Sequence, residues 1–405
     1  MALEAETAIT QLPTSDLEFY RNLVADRIGN LPRHSSPRFK HNTHPESRRI
    51  KSIQTKLKNN NVMITVADKG NSLVILPIQH ESKIQNFLQE NNFQASSIDP
   101  TKTFQTQIRK TVNTSTTLIP REIKRKYINL NPTAPTIKGL ITIHKPTQPI
   151  RSIEIWHNAP AYKLAKLFPH KINLLTPLNT KNTKDLIQDL KDTPILPHFT
   201  FASLDITNMY SNIPVTETKK ILTDIMKHNL LDANTQHELL NWYDVITKHN
   251  YFINNNDIIT QKDGLAMGAP SSGIIAQIFI QHAEKLHLAR LAQKHSIINY
   301  FRYVDDILLI FDPNHTNIQA ILTDFNALHP KIHFTTETEF NNSLNYLDIS
   351  IHRTPTGLRS SSTENPHSRT PLFPIHPTTP TQHKYAAIKS LYNRLNSYDL
   401  HKKEY

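Results

Sequence analysis

The stretch Ile297-Ile298-Asn299-Tyr300-Phe301-Arg302-Tyr303-Val304-Asp305-Asp306-Ile307-Leu308-Leu309-Ile310-Phe311 decides the fold. Its two apolar runs are rich in Ile, Leu, Tyr and Phe and too short for a helix with a polar face, which predicts a strand, a turn and a second strand. The turn is expected to present Asp305 and Asp306. Buried carboxylates are costly unless their charge is met, so a cation such as Mg²⁺, or a bridging base, is implied. By itself the tetrapeptide Tyr303 to Asp306 reads first as a solvated acidic turn. The rest of a site has to be found elsewhere in the chain.

Composition limits the partners. The chain has 405 residues, enough for two or three subdomains with a real core. With 46 Lys and Arg against 34 Asp and Glu its formal charge is +12, which favours a polyanion, with nucleic acid the leading candidate. Zero cysteines exclude disulfides, thiolate zinc sites and cysteine nucleophiles. No stretch is long enough to span a bilayer, and Met1 to Glu6 lacks the start of a signal peptide, so no membrane role and an intracellular, nuclear location are expected. Only 7 glycines occur, and such a chain should keep them chiefly where the backbone requires them.

Working outward, residues 33 to 58 carry Arg33, Arg38, Lys40, Arg48, Arg49, Lys51, Lys56 and Lys58 and read as an extended basic arm. Val62 to Val66 and Leu73 to Leu76, around Ala67-Asp68-Lys69-Gly70, predict a hairpin. Strands are expected at Ile137 to Pro146, Pro149 to Ile153 and Phe201 to Asp205, with a hairpin over Tyr251 to Ile259. Helices are expected at Tyr162 to Phe168, Thr183 to Leu190, Thr216 to His228, Asn234 to Lys248, Pro270 to Leu291 and Asn317 to Leu328. Ile332 to Glu337 and Leu344 to His352 read as two strands, residues 354 to 382 as a Pro/Ser/Thr-rich linker, and Lys384 to Leu395 as a last helix.

A third carboxylate stands at the end of an apolar strand, in Asp205-Ile206-Thr207-Asn208-Met209-Tyr210-Ser211-Asn212-Ile213-Pro214. A strand end followed by a tight turn leaves carbonyls free, so Asp205 and the carbonyl of Ile206 can join Asp305 and Asp306 around hard cations. Two such ions about 3.5–4 Å apart activate a 3′-hydroxyl and neutralise a leaving pyrophosphate. Taken alone, Asp205 also reads as a capping or turn aspartate.

Asp205 to Pro214, Asp263-Gly264-Leu265-Ala266-Met267-Gly268-Ala269-Pro270 and Tyr303 to Asp306 together resemble motifs A, B and C of reverse transcriptases. The likeness is greatest to the Penelope-like retroelements, relatives of telomerase. It extends to Ala67 to Gly70, Ile143 to Lys145, Arg151 to Ile153, Phe334 to Glu337 and Leu344 to Asp348, and covers roughly residues 61 to 353.

The resemblance implies an α+β right-hand polymerase with fingers, an antiparallel palm sheet and a short thumb. It implies RNA-directed DNA polymerase activity with two Mg²⁺ ions, Mn²⁺ being a possible substitute, and RNA template, DNA primer and dNTPs as partners. The expected domains are a basic extension over 1–60, fingers over 61–195, a palm over 196–353 with a helical insertion near 215–250, the linker over 354–382 and a partial thumb over 383–405. Tyr210 is implied as the steric gate against a ribose 2′-hydroxyl. Lys69, Lys145 and Arg151 are implied at the triphosphate, and Gln277 at the nucleotide, where the family usually has Asn. Gly264 and Gly268 are implied against the template-primer, Tyr346 and Leu347 in a primer grip, and Lys331 as an acid for the leaving pyrophosphate.

Departures accompany the match. Ile141-Thr142 stands for the usual Pro-Lys, Gly273 for the usual Pro of motif B, and nothing after the linker resembles a GIY-YIG endonuclease. They motivate a second reading, a catalytically impaired nucleic-acid-binding remnant of a mobile element. An RNA-directed RNA polymerase is the nearest enzymatic rival, against which Tyr210 argues.

Overall fold

The computed structural model describes residues 45–68, 73–91, 93–142, 150–172, 183–193, 195–255, 257–347, 349–354 and 357–362. Lys69, Lys145, the linker beyond residue 362 and the expected thumb lie outside them. The chain divides into two units, residues 1–63 and 64–405. In the first, α1 (Pro45–Asn59) corrects the expectation of an extended arm. Pro45 opens the helix, where a fixed φ and a missing N–H cost nothing, and no Pro or Gly follows within it.

The second unit is built on a sheet of four antiparallel strands, β6 (Thr200–Ile206), β9 (Ile297–Tyr303), β10 (Asp306–Phe311) and β11 (Phe334–Thr338), in the order β11-β6-β10-β9. Alternate side chains of β10 enter two different cores. Ile307, Leu309 and Phe311 pack with Ala202, Leu204 and the long helix α9 (Ser272–Lys294). Leu308 and Ile310 pack on the other face with Phe201, Phe301, Leu344, Tyr346 and Leu186. A strand covered on both faces has no polar side, so it reads as an unbroken apolar run. Helix α9 is buried on all sides from Ile274 to Gln281, which places it inside the core.

The expected hairpin near residue 70 appears as β1 (Val62–Val66) and β2 (Leu73–Pro77). A five-stranded sheet has the order β3 (Gln94–Ser96), β8 (Asp257–Thr260), β7 (Tyr251–Asn254), β4 (Thr136–Ile141), β5 (Ile150–Ile155). The hairpin β7–β8 therefore joins strands more than a hundred residues earlier rather than its neighbours in sequence. Between β6 and β7 come the four-residue helix Met209–Asn212 and the amphipathic helices Val215–His228 and Ala233–Thr247, as the periodicity predicts.

Two differences lie near the C-terminal end. Leu344 to His352 is not one strand but β12 (Ser343–Tyr346) and β13 (Ile349–Thr354), which fold back on each other after Leu347 takes a φ of +54°. Residues 357–362, expected to belong to a linker, form β14 (Gly357–Ser362), paired along the whole of β13. Its only apolar residue is Leu358, so periodicity carried no strand signal, and the backbone ladder supplies the pairing. Among the described residues, no helix is long and apolar enough to cross a membrane.

Candidate active site

The antiparallel register of β6 and β10 sets Asp205 directly opposite Asp306. Asp306 also pairs with Tyr303, leaving Val304 and Asp305 as the turn, so Asp306 opens the strand rather than sitting in the turn as expected. The Ile206 N–H donates to the Asp305 carbonyl at 3.1 Å, binding the turn to the strand end that carries Asp205. Three carboxylates thus come from adjoining ends of two paired strands. Directly opposed side chains have Cβ atoms about 4.5–5.5 Å apart, where like charges repel unless a cation lies between them.

Tyr210 enters from the short helix after β6, preceded by Asn208 in a left-handed conformation. Burial first, and the Asp305 carboxylate second, push its hydroxyl above the usual tyrosine range, while Arg151 draws it down. The Tyr210 hydroxyl therefore senses both Asp305 and Arg151. Arg151 projects from β5, half exposed, and pairs with Asp68 at 3.4 Å. Asp68 is itself anchored by its N–H on the Ile141 carbonyl.

The loop 263–270 is stitched between these two parts. Leu265 N–H donates to the Tyr210 carbonyl at 2.8 Å, and Glu154 N–H of β5 donates to the Met267 carbonyl at 2.7 Å. Asp263 accepts from the Val215 and Gly264 N–H groups and from the Lys331 ammonium. Gly264 and Gly268 have φ of +103° and +129°. A Cβ on Gly264 would lie 2.3 Å from the Ser211 carbonyl oxygen, and one on Gly268 2.1 Å from that of Glu154. Both glycines, expected at the template-primer, also allow a close approach of backbone within the chain itself.

Glu154, beside this loop, was not singled out from sequence. Burial pushes its carboxyl up to about 8, with the Trp156 indole N–H donating to it at 3.0 Å as a smaller opposing influence. Between its ordinary value of 4.5 and about 8 the folded protein holds a proton that the unfolded chain releases. Stability must therefore fall as pH rises through that window, by on the order of a few kcal/mol. Glu154→Gln is expected to remove this part of the pH dependence. Urea unfolding of both proteins at pH 5 and pH 8 checks it, and equal pH slopes would count against a neutral buried Glu154.

Gln277 lies in the interior, its side-chain carbonyl accepting from Arg302 Nη1 at 2.8 Å. Tyr346 is also buried, and its hydroxyl donates to the Asp306 carbonyl at 2.9 Å, under the acidic turn; Leu347 follows at the turn into β13. Lys331, expected as an acid, is engaged with Asp263. Sequence reasoning passed over Arg302, which is 2% exposed and bound to Glu284. Its signal was an arginine inside an apolar strand, a position that demands a partner.

A metal fits this donor set in chemistry. Asp205, Asp305 and Asp306 offer oxygen ligands, and Mg²⁺ is bound by one or two carboxylates together with waters and substrate phosphates rather than by a closed protein cage. Among the described residues, no three His, Cys, Asp or Glu side chains are gathered closely enough to hold a metal ion by themselves.

Residues 167–339 match the family model for reverse transcriptase (RNA-dependent DNA polymerase), a span that includes Asp205, Tyr210, the 263–270 loop, Asp305 and Asp306. No curated protein matches the chain. Among solved structures, telomerase from Candida albicans, in complex with a TWJ fragment of telomeric RNA, superposes with a TM-score of 0.52 at 12% identity, over 79% of this chain and 57% of that one. Telomerase from Candida tropicalis, in the same kind of complex, gives 0.49 at 12% identity over 74% and 51%. The RNA-dependent RNA polymerase of a human picobirnavirus gives 0.43 at 12% over 80% and 71%. The chain thus spans little more than half the length of the first of these telomerases. Part of the chain thus matches a reverse transcriptase (RNA-dependent DNA polymerase) model, and the chain shares the right-hand polymerase fold of telomerase.

Proposed function

We propose that the protein is the RNA-directed DNA polymerase of a retroelement of the Penelope-like kind, extending a primer 3′-hydroxyl with dNTPs along an RNA template. The observation that carries the reading is the register that opposes Asp205 to Asp306 with Asp305 at the adjoining turn. Asp205, Asp305 and Asp306, with the Ile206 carbonyl, would hold two Mg²⁺ ions, which supply charge neutralisation and activation of the attacking hydroxyl. Arg151, whose charge the Tyr210 hydroxyl senses, supplies a cation for the triphosphate; Lys69 and Lys145 extend that role. Segments 61–195 and 196–353 supply fingers and palm, with the hairpin β7–β8 passing from the second segment into the sheet of the first.

Purified protein with an RNA template, DNA primer, dNTPs and Mg²⁺ tests the reading. Extension supports it, whereas tight binding without extension supports the impaired remnant. Tyr210 fills space beside Asp305 and acts as the gate on the sugar. Tyr210→Ala is expected to raise the ratio of rNTP to dNTP incorporation by about 10²-fold. Single-nucleotide incorporation measures it, and an unchanged ratio removes Tyr210 from sugar selection.

A further inference from the structure

Three successive carbonyls of the acidic turn each accept a hydrogen bond from a different element. Arg302 Nη1 of β9 donates to the Val304 carbonyl at 3.0 Å, the Ile206 N–H of β6 to Asp305 at 3.1 Å, and the Tyr346 hydroxyl of β12 to Asp306 at 2.9 Å. The first is the unusual one, because it places a guanidinium in the protein interior. Arg302 Nε and Nη2 donate to the two carboxylate oxygens of Glu284 at 2.6 and 3.0 Å, and Nη1 is shared between Gln277 and Val304. The Tyr300 hydroxyl donates to the same Glu284 at 2.7 Å, fixing the carboxylate in turn.

Val304 itself has a φ of +57°, a conformation that β-branched side chains avoid. A strained residue persists only where its surroundings over-determine it, and here the fixed carbonyl belongs to the peptide leading into Asp305. The fork geometry matters: one edge of the planar group, Nε and Nη2, binds Glu284, while Nη1 still directs a third donor at the turn. A lysine ammonium is a compact point charge and cannot do all three.

We infer that Arg302, oriented by Glu284 and Gln277, is a positioning residue that holds the Val304–Asp305 turn in its metal-binding shape. The inference rests on Asp205, Asp305 and Asp306 being the metal ligands. A substitution here that disturbs only packing is distinguishable from one that disturbs the turn. Buried ion pairs replaced by apolar residues of similar volume commonly keep or gain stability, so the double variant Arg302→Met with Glu284→Met isolates the positioning role.

The test is Mn²⁺ binding to the substrate-free protein by electron paramagnetic resonance, alongside thermal melting and steady-state primer extension. Arg302→Lys is expected to weaken Mn²⁺ binding about 10-fold and to lower kcat about 10–100-fold, as loss of a group supporting metal ligands does, with KM for primer-template unchanged. The double variant is expected to melt above the single Arg302→Met, which leaves Glu284 charged and unpaired, yet bind Mn²⁺ no better than Arg302→Lys. Wild-type Mn²⁺ affinity and kcat in either variant would overturn the inference alone. Absence of Mn²⁺ binding in the wild type, or binding that Asp305→Asn leaves intact, would overturn the ligand assignment and this inference with it.

Discussion

Asp305→Asn is expected to lower primer extension by about 10³-fold or more, since a metal ligand supplies several kcal/mol of transition-state charge stabilisation and each 1.36 kcal/mol is a factor of ten. The substitution is nearly isosteric, and the backbone hydrogen bond from Ile206 to the Asp305 carbonyl survives it. The metal-free protein should therefore melt no lower than the wild type. It should melt slightly higher, because one of three clustered negative charges is gone. Loss of activity with retained stability is the signature of a group held for chemistry at a cost to the fold. A solvated acidic turn predicts the opposite pattern, with extension unaffected and no gain in stability at low salt. Extension rates and melting curves in a metal chelator, taken together, separate the two, and retained extension would end the assignment of this turn as a polymerase site.

How much of this was legible in the sequence depended on whether a feature is local. The strand, turn and strand around Asp305 could be read because both strands are covered on both faces and so are apolar throughout. Asp205 could be read because it ends a similar strand. The right-hand fold followed from the order of such motifs. What could not be read were pairings between distant segments. The hairpin β7–β8 shows its own turn, but nothing in it says that its partner is β4. Arg302 finds Glu284 on a preceding helix, and periodicity treats both as noise on apolar elements. Strand β14 has almost no apolar content, and α1 was hidden by the prolines that precede it. The glycines could be read as places the backbone cannot do without, but one reason for two of them, the close approach of the chain's own carbonyls, lies in tertiary contacts that no local pattern shows.

That reason gives the second large effect, and it comes with an internal control. Gly268→Ala is expected to destabilise the protein by about 3 kcal/mol or more, since left-handed strain and a forced contact each cost of order 1–3 kcal/mol. The new Cβ would meet the Glu154 carbonyl at 2.1 Å, and a backbone oxygen within a sheet has little room to retreat. Relief requires the loop to move off β5, which breaks the hydrogen bond from Glu154 N–H to Met267. Since the same loop holds the Tyr210 carbonyl through Leu265, extension should fall together with stability. Gly273→Ala is the same chemical change in the first turn of α9, where a Cβ meets nothing within 4 Å. There, alanine should raise stability by about 0.5–1 kcal/mol, because it helps helix formation and restricts the unfolded chain. Thermal melts of the two variants should therefore move in opposite directions from the wild type. If both move the same way, or Gly268→Ala melts as the wild type does, the 263–270 loop is not pressed against β5. The loop would then no longer count as the tie between the Tyr210 segment and β5.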